Sequence, residues 1–339
     1  MVTSRFSVIS YPPRLNLAQL PTPIQPLDRL TKKIKSGSRI WIKRDDLTGC
    51  ATSGNKIRKL EFTLAEAQQQ GASVIITCGG VQSNHARATA ILGAQLGMKV
   101  HLLLRGEKTE LTRNGNHFLD LLSGAEISCY PSEIYVPQLQ KLVNELCEYY
   151  RKQGLKPYFI TTGASDGTGV WGYVRACEEI KQQCSELNIH FDHIVCATGS
   201  GGTLAGLTAG EKIHQLDSTV TGFNVCDTAE YFIKKARADL KEWKQKYHIM
   251  LDVDALAMCV IDGYVGPGYA KAEKPVYETI KEMAALEGII LDPIYTGKAF
   301  FGMLSELKNG RFNDADNILF IHTGGLFGLM ADTQINSYI

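Results

Sequence analysis

At 339 residues, with 36 basic against 35 acidic side chains and a formal net charge of +1, the chain carries no broad charge imbalance. That balance excludes the electrostatic footprint of a nucleic-acid or anionic-membrane binder and leaves a small molecule as the expected partner. The length exceeds what one hydrophobic core supports, so two lobes are expected, and the lack of a membrane-length apolar run or a signal-peptide pattern predicts a cytoplasmic protein.

The nine cysteines are odd in number and never spaced as C-x-x-C or beside metal-ligand histidines. They read as reduced thiols, with no metal centre.

In chain order, Leu20-Pro21-Thr22-Pro23 and Ile42-Lys43-Arg44-Asp45-Asp46 precede the run Ser53-Gly54-Asn55-Lys56-Ile57-Arg58-Lys59-Leu60-Glu61. Gly54 and Asn55 favour a turn, and Leu60, Leu64 and Ala67 begin a helical stripe, which puts Lys56 at a loop-to-helix junction. Desolvation or a neighbouring cation lowers a lysine pKa and makes the amine a Schiff-base former or general base. Arg58 and Lys59 supply such neighbours, although Lys59 taken alone reads as a solvated surface charge. The spacing from Gly49 to Lys56 imitates a Walker A loop. Asn55 displaces the lysine by one position and Ile57 replaces the hydroxyl residue, so nucleoside triphosphate binding is excluded there.

From residue 56 onward, short apolar runs alternate with helical patterns. Strands are predicted over 73–78, 99–104, 157–161, 193–197, 220–224 and 317–322, and helices over 56–70, 85–97, 136–153, 170–187, 203–215, 229–247, 275–287 and 297–307. This alternation is the signature of an α/β fold with parallel sheets. There is no internal repeat and no low-complexity linker, so the chain passes between its lobes more than once.

Ligands of open α/β sheets bind outside the carboxyl ends of the strands, where glycine-rich loops should collect the chemistry. The first such loop, Gly79-Gly80-Val81-Gln82-Ser83-Asn84-His85, offers Ser83 as a helix cap or anion donor beside Asn84. His85 is a second-rank acid or base, more often merely solvated at a helix start. The second is Thr162-Gly163-Ala164-Ser165-Asp166-Gly167. The third, Thr198-Gly199-Ser200-Gly201-Gly202-Thr203, aims amides and hydroxyls at the positive end of the next helix and reads as a phosphate cup. It lacks the Lys-Ser or Lys-Thr of a Walker A loop, and Leu204 stands where a dinucleotide fingerprint has its third glycine. Towards the C-terminus come a loop with Tyr264 and Tyr269, the run Asp292-Pro293-Ile294-Tyr295-Thr296-Gly297-Lys298, and a strand entering His322-Thr323-Gly324-Gly325.

Together these segments resemble the fold type II pyridoxal-phosphate enzymes, and within them the branch holding D-cysteine desulfhydrase and 1-aminocyclopropane-1-carboxylate deaminase. The resemblance covers nearly the whole chain. It implies a tryptophan synthase β-like fold of two open, twisted, mostly parallel α/β domains: a large one from 1–58 and 166–339 and a small one from 59–165, generally in a homodimer. It further implies pyridoxal 5'-phosphate on Lys56, its phosphate held by Thr198, Gly199, Ser200, Gly201, Gly202 and Thr203, and its phenolic oxygen contacted by Asn84. Ser83 would hold the substrate carboxylate, Tyr295 would stack near the ring and Tyr269 would line the pocket.

Where deaminases of this branch look to carry glutamate and leucine, this chain has Thr296 and Thr323. A threonine hydroxyl, unlike a carboxylate, leaves the ring nitrogen unprotonated and the electron sink weaker. That favours β-elimination: D-cysteine to pyruvate, hydrogen sulfide and ammonia, with Lys56 removing the α-proton. The alternatives are the cyclopropane deaminase, an L-cysteate sulfo-lyase or another β-substituted amino acid lyase, and, in a different class, a non-catalytic binding protein of the same fold. Ser53, Asp166 and Trp171 depart from the expected pattern and bear on substrate choice.

Overall fold

Residues 9–338 are described by the computed structural model, in which the apolar runs assemble into two sheets. The larger contains β1 (Ile24–Pro26), β2 (Arg39–Lys43), β7 (His193–Thr198), β8 (Thr219–Asn224), β9 (Cys259–Ile261) and β10 (Asn317–Ile321), in the order β1-β2-β10-β7-β8-β9. Every neighbouring pair is parallel except β1 with β2. The smaller sheet contains β3 (Val74–Gly80), β4 (Lys99–Arg105), β5 (Glu126–Tyr130) and β6 (Pro157–Ile160), in the wholly parallel order β5-β4-β3-β6.

Strands covered on both faces need apolar side chains at every position. In β3, Val74 and Ile76 enter one core cluster with Leu103 and Tyr150, while Ile75 enters another with Leu60 and Leu92. The large sheet is covered on one side around Trp171, Leu204 and Trp243, and on the other around Ile280, Phe300 and Met303.

The helices that position the site are α2 (Lys56–Gln69), α3 (Asn84–Gln95), α4 (Gly115–Leu122), α5 (Ser132–Lys152), α6 (Val170–Leu187), α7 (Gly202–His214), α8 (Ala229–Tyr247) and α10 (Thr296–Lys308). The remainder are α1 (Asp28–Ile34), α9 (Lys274–Glu287) and α11 (Leu326–Ala331). Seven elements were not anticipated: β1, β2, β5, β9, α1, α4 and α11. β1 and β9 have three residues each, too few for a period to register, and no residue of β5 is fully buried, so that strand alternates nothing. In β2 the apolar signal is three residues long, and Lys43 is buried through ion pairing. All nine cysteines are free thiols, and among the described residues no helix is long and apolar enough to cross a membrane.

Candidate active site

The carboxyl ends of β3, β4 and β6 in one sheet and of β7 and β8 in the other open onto a single cavity of about 830 Å³, reached by Gly80, Arg105, Thr161, Thr198 and Cys226. Lys56 enters it as the first residue of α2.

The turn before Lys56 is clamped from three sides. Thr48 Oγ1 accepts from the Gly54 amide at 2.9 Å and donates to the Gly54 carbonyl at 3.0 Å. Gly54 has φ +112°, and a Cβ there would lie 2.7 Å from the Thr323 carbonyl, so only glycine fits. That carbonyl accepts the Asn55 amide at 3.1 Å, while Asn55 Nδ2 donates to Thr203 Oγ1 at 3.0 Å. The lysine turn is thereby bonded to the β10 end and to the cup.

Part of the Lys56 surface opens to the cavity, yet protein packs the amine closely enough that desolvation pulls its pKa down to about 8. Among the described residues it has no hydrogen-bond or ion-pair partner. Of the two expected causes, burial is the one that acts here. The Arg58 guanidinium is turned away to Asp45 at 2.8 Å and Glu179 at 3.0 Å.

Lys59 corrects the expectation of a solvated charge. It is fully buried, with Nζ donating to Ser165 Oγ at 3.2 Å, and desolvation, followed by the charge of Lys56, holds its pKa well below the ordinary value. A Cβ on Gly202 would lie 2.9 Å from that amine, so Lys59 stands directly behind the cup. The three-residue spacing from Lys56, which places both on one helix face, is the signal that could have found it.

In the cup, the amides of Gly199, Ser200, Gly201 and Thr203 donate to no acceptor among the described residues, and Thr198 Oγ1 is buried without a partner. Thr198, Gly199, Ser200, Gly201 and Thr203 line the cavity. Gly202 does not; its amide donates to Ser165 Oγ at 3.2 Å. Ser165 in turn donates to Ser200 Oγ at 2.8 Å, so the loop after β6 supports the cup from behind. Gly163 in that loop has φ +69°, and a Cβ there would fall 2.9 Å from Lys56 Nζ and 2.6 Å from Ser200 Oγ. Asp166 and Trp171 stay outside the cavity. Asp166 accepts from Thr161 Oγ1 at 2.8 Å and from the Gly169 amide at 2.8 Å, while Trp171 packs against Trp243 in the core.

Ser83 caps α3, its Oγ accepting the Ala86 amide at 3.2 Å, and also lines the cavity. Asn84 Oδ1 accepts from Asn116 Nδ2 at 3.1 Å, which leaves the Asn84 amino group free to donate into the cavity. Asn116, at the start of α4, escaped the sequence reading because nothing local marks it. His85 is buried rather than solvated. Thr77 Oγ1 spends its proton on the Ile160 carbonyl at 2.8 Å, so His85 Nε2, 2.8 Å from that hydroxyl, must be the donor and Nδ1 carries the bare lone pair. Desolvation, with Lys56 and Lys59 adding repulsion, holds its pKa well below the usual histidine value, which makes it neutral.

On the opposite wall, Tyr295 and Tyr269 join hydroxyls at 2.7 Å with rings 6.1 Å apart, and both line the cavity with Thr323. Thr296 does not. Its hydroxyl donates to Asp292 Oδ1 at 2.7 Å and accepts the Asp292 amide at 2.8 Å, so the helix start turns it inward, away from any bound ring. The Asp292 carboxylate is consumed by the amides of Ile294, Tyr295 and Thr296 as well.

The family model described as pyridoxal-phosphate dependent enzyme matches residues 15–324. A Thermotoga maritima protein, provisionally named a 1-aminocyclopropane-1-carboxylate deaminase, is 45% identical over 95% of this chain and 99% of its own length. The Arabidopsis thaliana mitochondrial protein named bifunctional D-cysteine desulfhydrase/1-aminocyclopropane-1-carboxylate deaminase is 40% identical over 93% of this chain and 78% of its own. The solved structure of an ACC deaminase homologue superposes with a TM-score of 0.87 at 38% identity, covering 96% of each chain.

Proposed function

The chain belongs to the pyridoxal-phosphate-dependent enzymes, and from that premise we propose that it is a carbon–sulfur lyase acting as a D-cysteine desulfhydrase. The residues present fit the cofactor. Four open amides and the orphaned Thr198 hydroxyl suit a phosphate, with the buried Lys59 amine behind them. Thr323 and Tyr295 line the cavity beside the cup, and a Cβ on Gly199 would sit 2.8 Å from the Tyr295 ring, so glycine is what lets that ring lie against the cup. When bound, pyridoxal phosphate supplies an aldehyde for an amine and a conjugated ring that takes up an electron pair from the substrate α-carbon.

The observation that carries the lyase reading is the missing carboxylate. Among the described residues the only acidic side chain lining the cavity is Asp227, exposed at its rim, while Asp292 is spent on its own loop. Thr323 would then be the hydroxyl left for the ring nitrogen, and no acid would be there to stabilise a protonated ring. The substrate must supply its own leaving group, which suits elimination better than opening an unactivated ring.

With its amine free, Lys56 would take the substrate α-proton on Nζ. An amine with pKa about 8 is unprotonated often enough near neutrality to serve as that base, worth on the order of 10² to 10⁴ in rate. Ser83 and the first amides of α3 would hold the substrate carboxylate, and Asn84 would donate to the cofactor oxygen. The carbon–sulfur bond breaks with its electron pair on sulfur, and the released aminoacrylate hydrolyses to pyruvate and ammonia. The nine free thiols suit a reducing compartment, which supports the cytoplasm as the proposed location, and a homodimer rests on the family resemblance.

The test is product release from D-cysteine, L-cysteine, D-serine and 1-aminocyclopropane-1-carboxylate. D-cysteine should yield equal pyruvate and sulfide with the highest kcat/KM. Formation of 2-oxobutyrate from the cyclopropane acid without sulfide from D-cysteine would replace this reading with the deaminase.

A further inference from the structure

We propose that Lys298 is a positioning residue for the reaction: its ammonium, gripped by three main-chain carbonyls, is a tethered cation that holds Tyr269 and Tyr295 in place on the cavity wall. This rests on the lyase site described above and assigns the residue that sets its tyrosine pair.

A lysine in the first turn of α10 faces the positive end of its own helix, which repels it. Its side chain is nonetheless buried, 1% exposed, and among the described residues no carboxylate pairs with it. Nζ donates instead to the carbonyls of Val265 at 2.7 Å, Gly268 at 2.8 Å and Val225 at 3.4 Å, one acceptor for each of its three protons. Burial pulls the amine down to about 8, which leaves it charged at neutral pH.

Those carbonyls belong to two loops of the cavity wall. Val225 follows β8 and precedes Cys226, which lines the cavity. Val265 and Gly268 lie in the loop after β9, whose backbone is left-handed at Gly263, Gly266, Gly268 and Ala270. A chain so turned joins no sheet. Among the described residues, the only hydrogen bonds that tie the main chain of 263–270 to another element are the two from Lys298 Nζ. Tyr269 is the next residue, and its hydroxyl meets that of Tyr295 at 2.7 Å. Tyr295 immediately precedes α10. One helix start therefore holds adjacent residues of the loop, Gly268 through the ammonium and Tyr269 through the phenol, and this double grip fixes how the two rings meet. Without the ammonium, the hydrogen bonds left between the loop and the α10 region are those of the Tyr264 and Tyr269 hydroxyls, and the carbonyls lose their charged donor.

The experiment compares wild-type, Lys298→Ala and Lys298→Met holoenzymes at neutral pH, in tetramethylammonium chloride and in ammonium chloride of equal ionic strength. The readouts are kcat and KM on D-cysteine, the circular dichroism of the cofactor band, and the unfolding temperature. Lys298→Ala should lose on the order of 10- to 100-fold in kcat/KM, as a misplacement of about 1 Å does, with a weaker cofactor dichroism. Ammonium fits the vacated cage and carries the same donors. It should restore both readouts in Lys298→Ala, fail to do so in Lys298→Met, whose side chain fills the space, and leave wild type unchanged. Wild-type rates and dichroism in both variants overturn the proposal, and so does a loss in Lys298→Ala that ammonium leaves untouched or that it mends no more than it raises wild type. A fall in unfolding temperature alone marks a merely structural lysine and also overturns it. Should Lys298→Ala fail to fold, Lys298→Met decides: lost rate and dichroism support the proposal, and wild-type values overturn it. If dichroism falls and recovers with ammonium while no amino acid yields pyruvate, the lyase reading fails and the tethered cation stands; pyruvate from D-cysteine at wild-type rates in every variant does the reverse.

Discussion

A buried amine with nothing to pair with resolves its position by giving up its proton, and Lys56 is such an amine. Its ordinary pKa of 10.5 falls to about 8 through desolvation. Between those values the unfolded chain holds a proton that the fold does not. In the cofactor-free protein Lys56 therefore costs stability below pH about 8, and the cost fades as pH rises through that window. The same depression makes the amine reactive. The rate at which cofactor-free protein captures pyridoxal phosphate should rise with pH to a midpoint near 8; stopped-flow absorbance would show it, and a midpoint near 10.5 would contradict it. The place of Lys56 at the start of α2 was legible from its glycine–asparagine turn. The choice between desolvation and neighbouring cations as the cause of its depressed pKa was not, because where Arg58 and Lys59 point depends on partners distant in sequence: Glu179 for the first and Ser165 for the second.

At the scale of elements, the lysine turn is held by a buried ionic network joining β2, the short turn Asp45–Leu47, α2 and α6. Lys43 Nζ meets Glu179 at 2.6 Å, and Arg58 bridges Glu179 and Asp45, to which the Tyr173 hydroxyl adds a bond of 2.6 Å. Burial alone would raise the Asp45 and Glu179 carboxyls, but the Arg58 charge and hydrogen bonds hold both below their usual values. Their contribution is present above the unfolded-state carboxylate range and is lost as pH falls through the folded values. Asp45→Ala strands the Arg58 guanidinium and should cost about 3–5 kcal/mol in urea unfolding at neutral pH, with the loss shrinking in acid. A cost under about 1 kcal/mol would show that the network is dispensable. The legible elements were those whose period survives burial: α6 and α8 match their predicted bounds. The half-exposed β5 and the three-residue β1 and β9 carry no period to read.

At the scale of the molecule, two sheets aim their strand ends at one cavity, and the site is assembled from loops after β3, β4, β6, β7, β8, β9 and β10 together with the turns before α2 and α10. Glycines and hydroxyls at strand ends announced three of those loops, because close backbone approach to an anion demands those residue types. What stayed hidden depends on orientation: Thr296 turning into Asp292, Asn116 fixing the Asn84 amide, and Lys298 gathering carbonyls from two loops. The account rests on Lys56, and not its buried neighbour Lys59, being the amine that carries the cofactor. The most direct test is borohydride reduction of the coloured holoenzyme, followed by proteolysis and mass mapping of the pyridoxyl group. The account predicts a single label on Lys56, absent in Lys56→Ala. A label on Lys59, or on no lysine of α2, would contradict it.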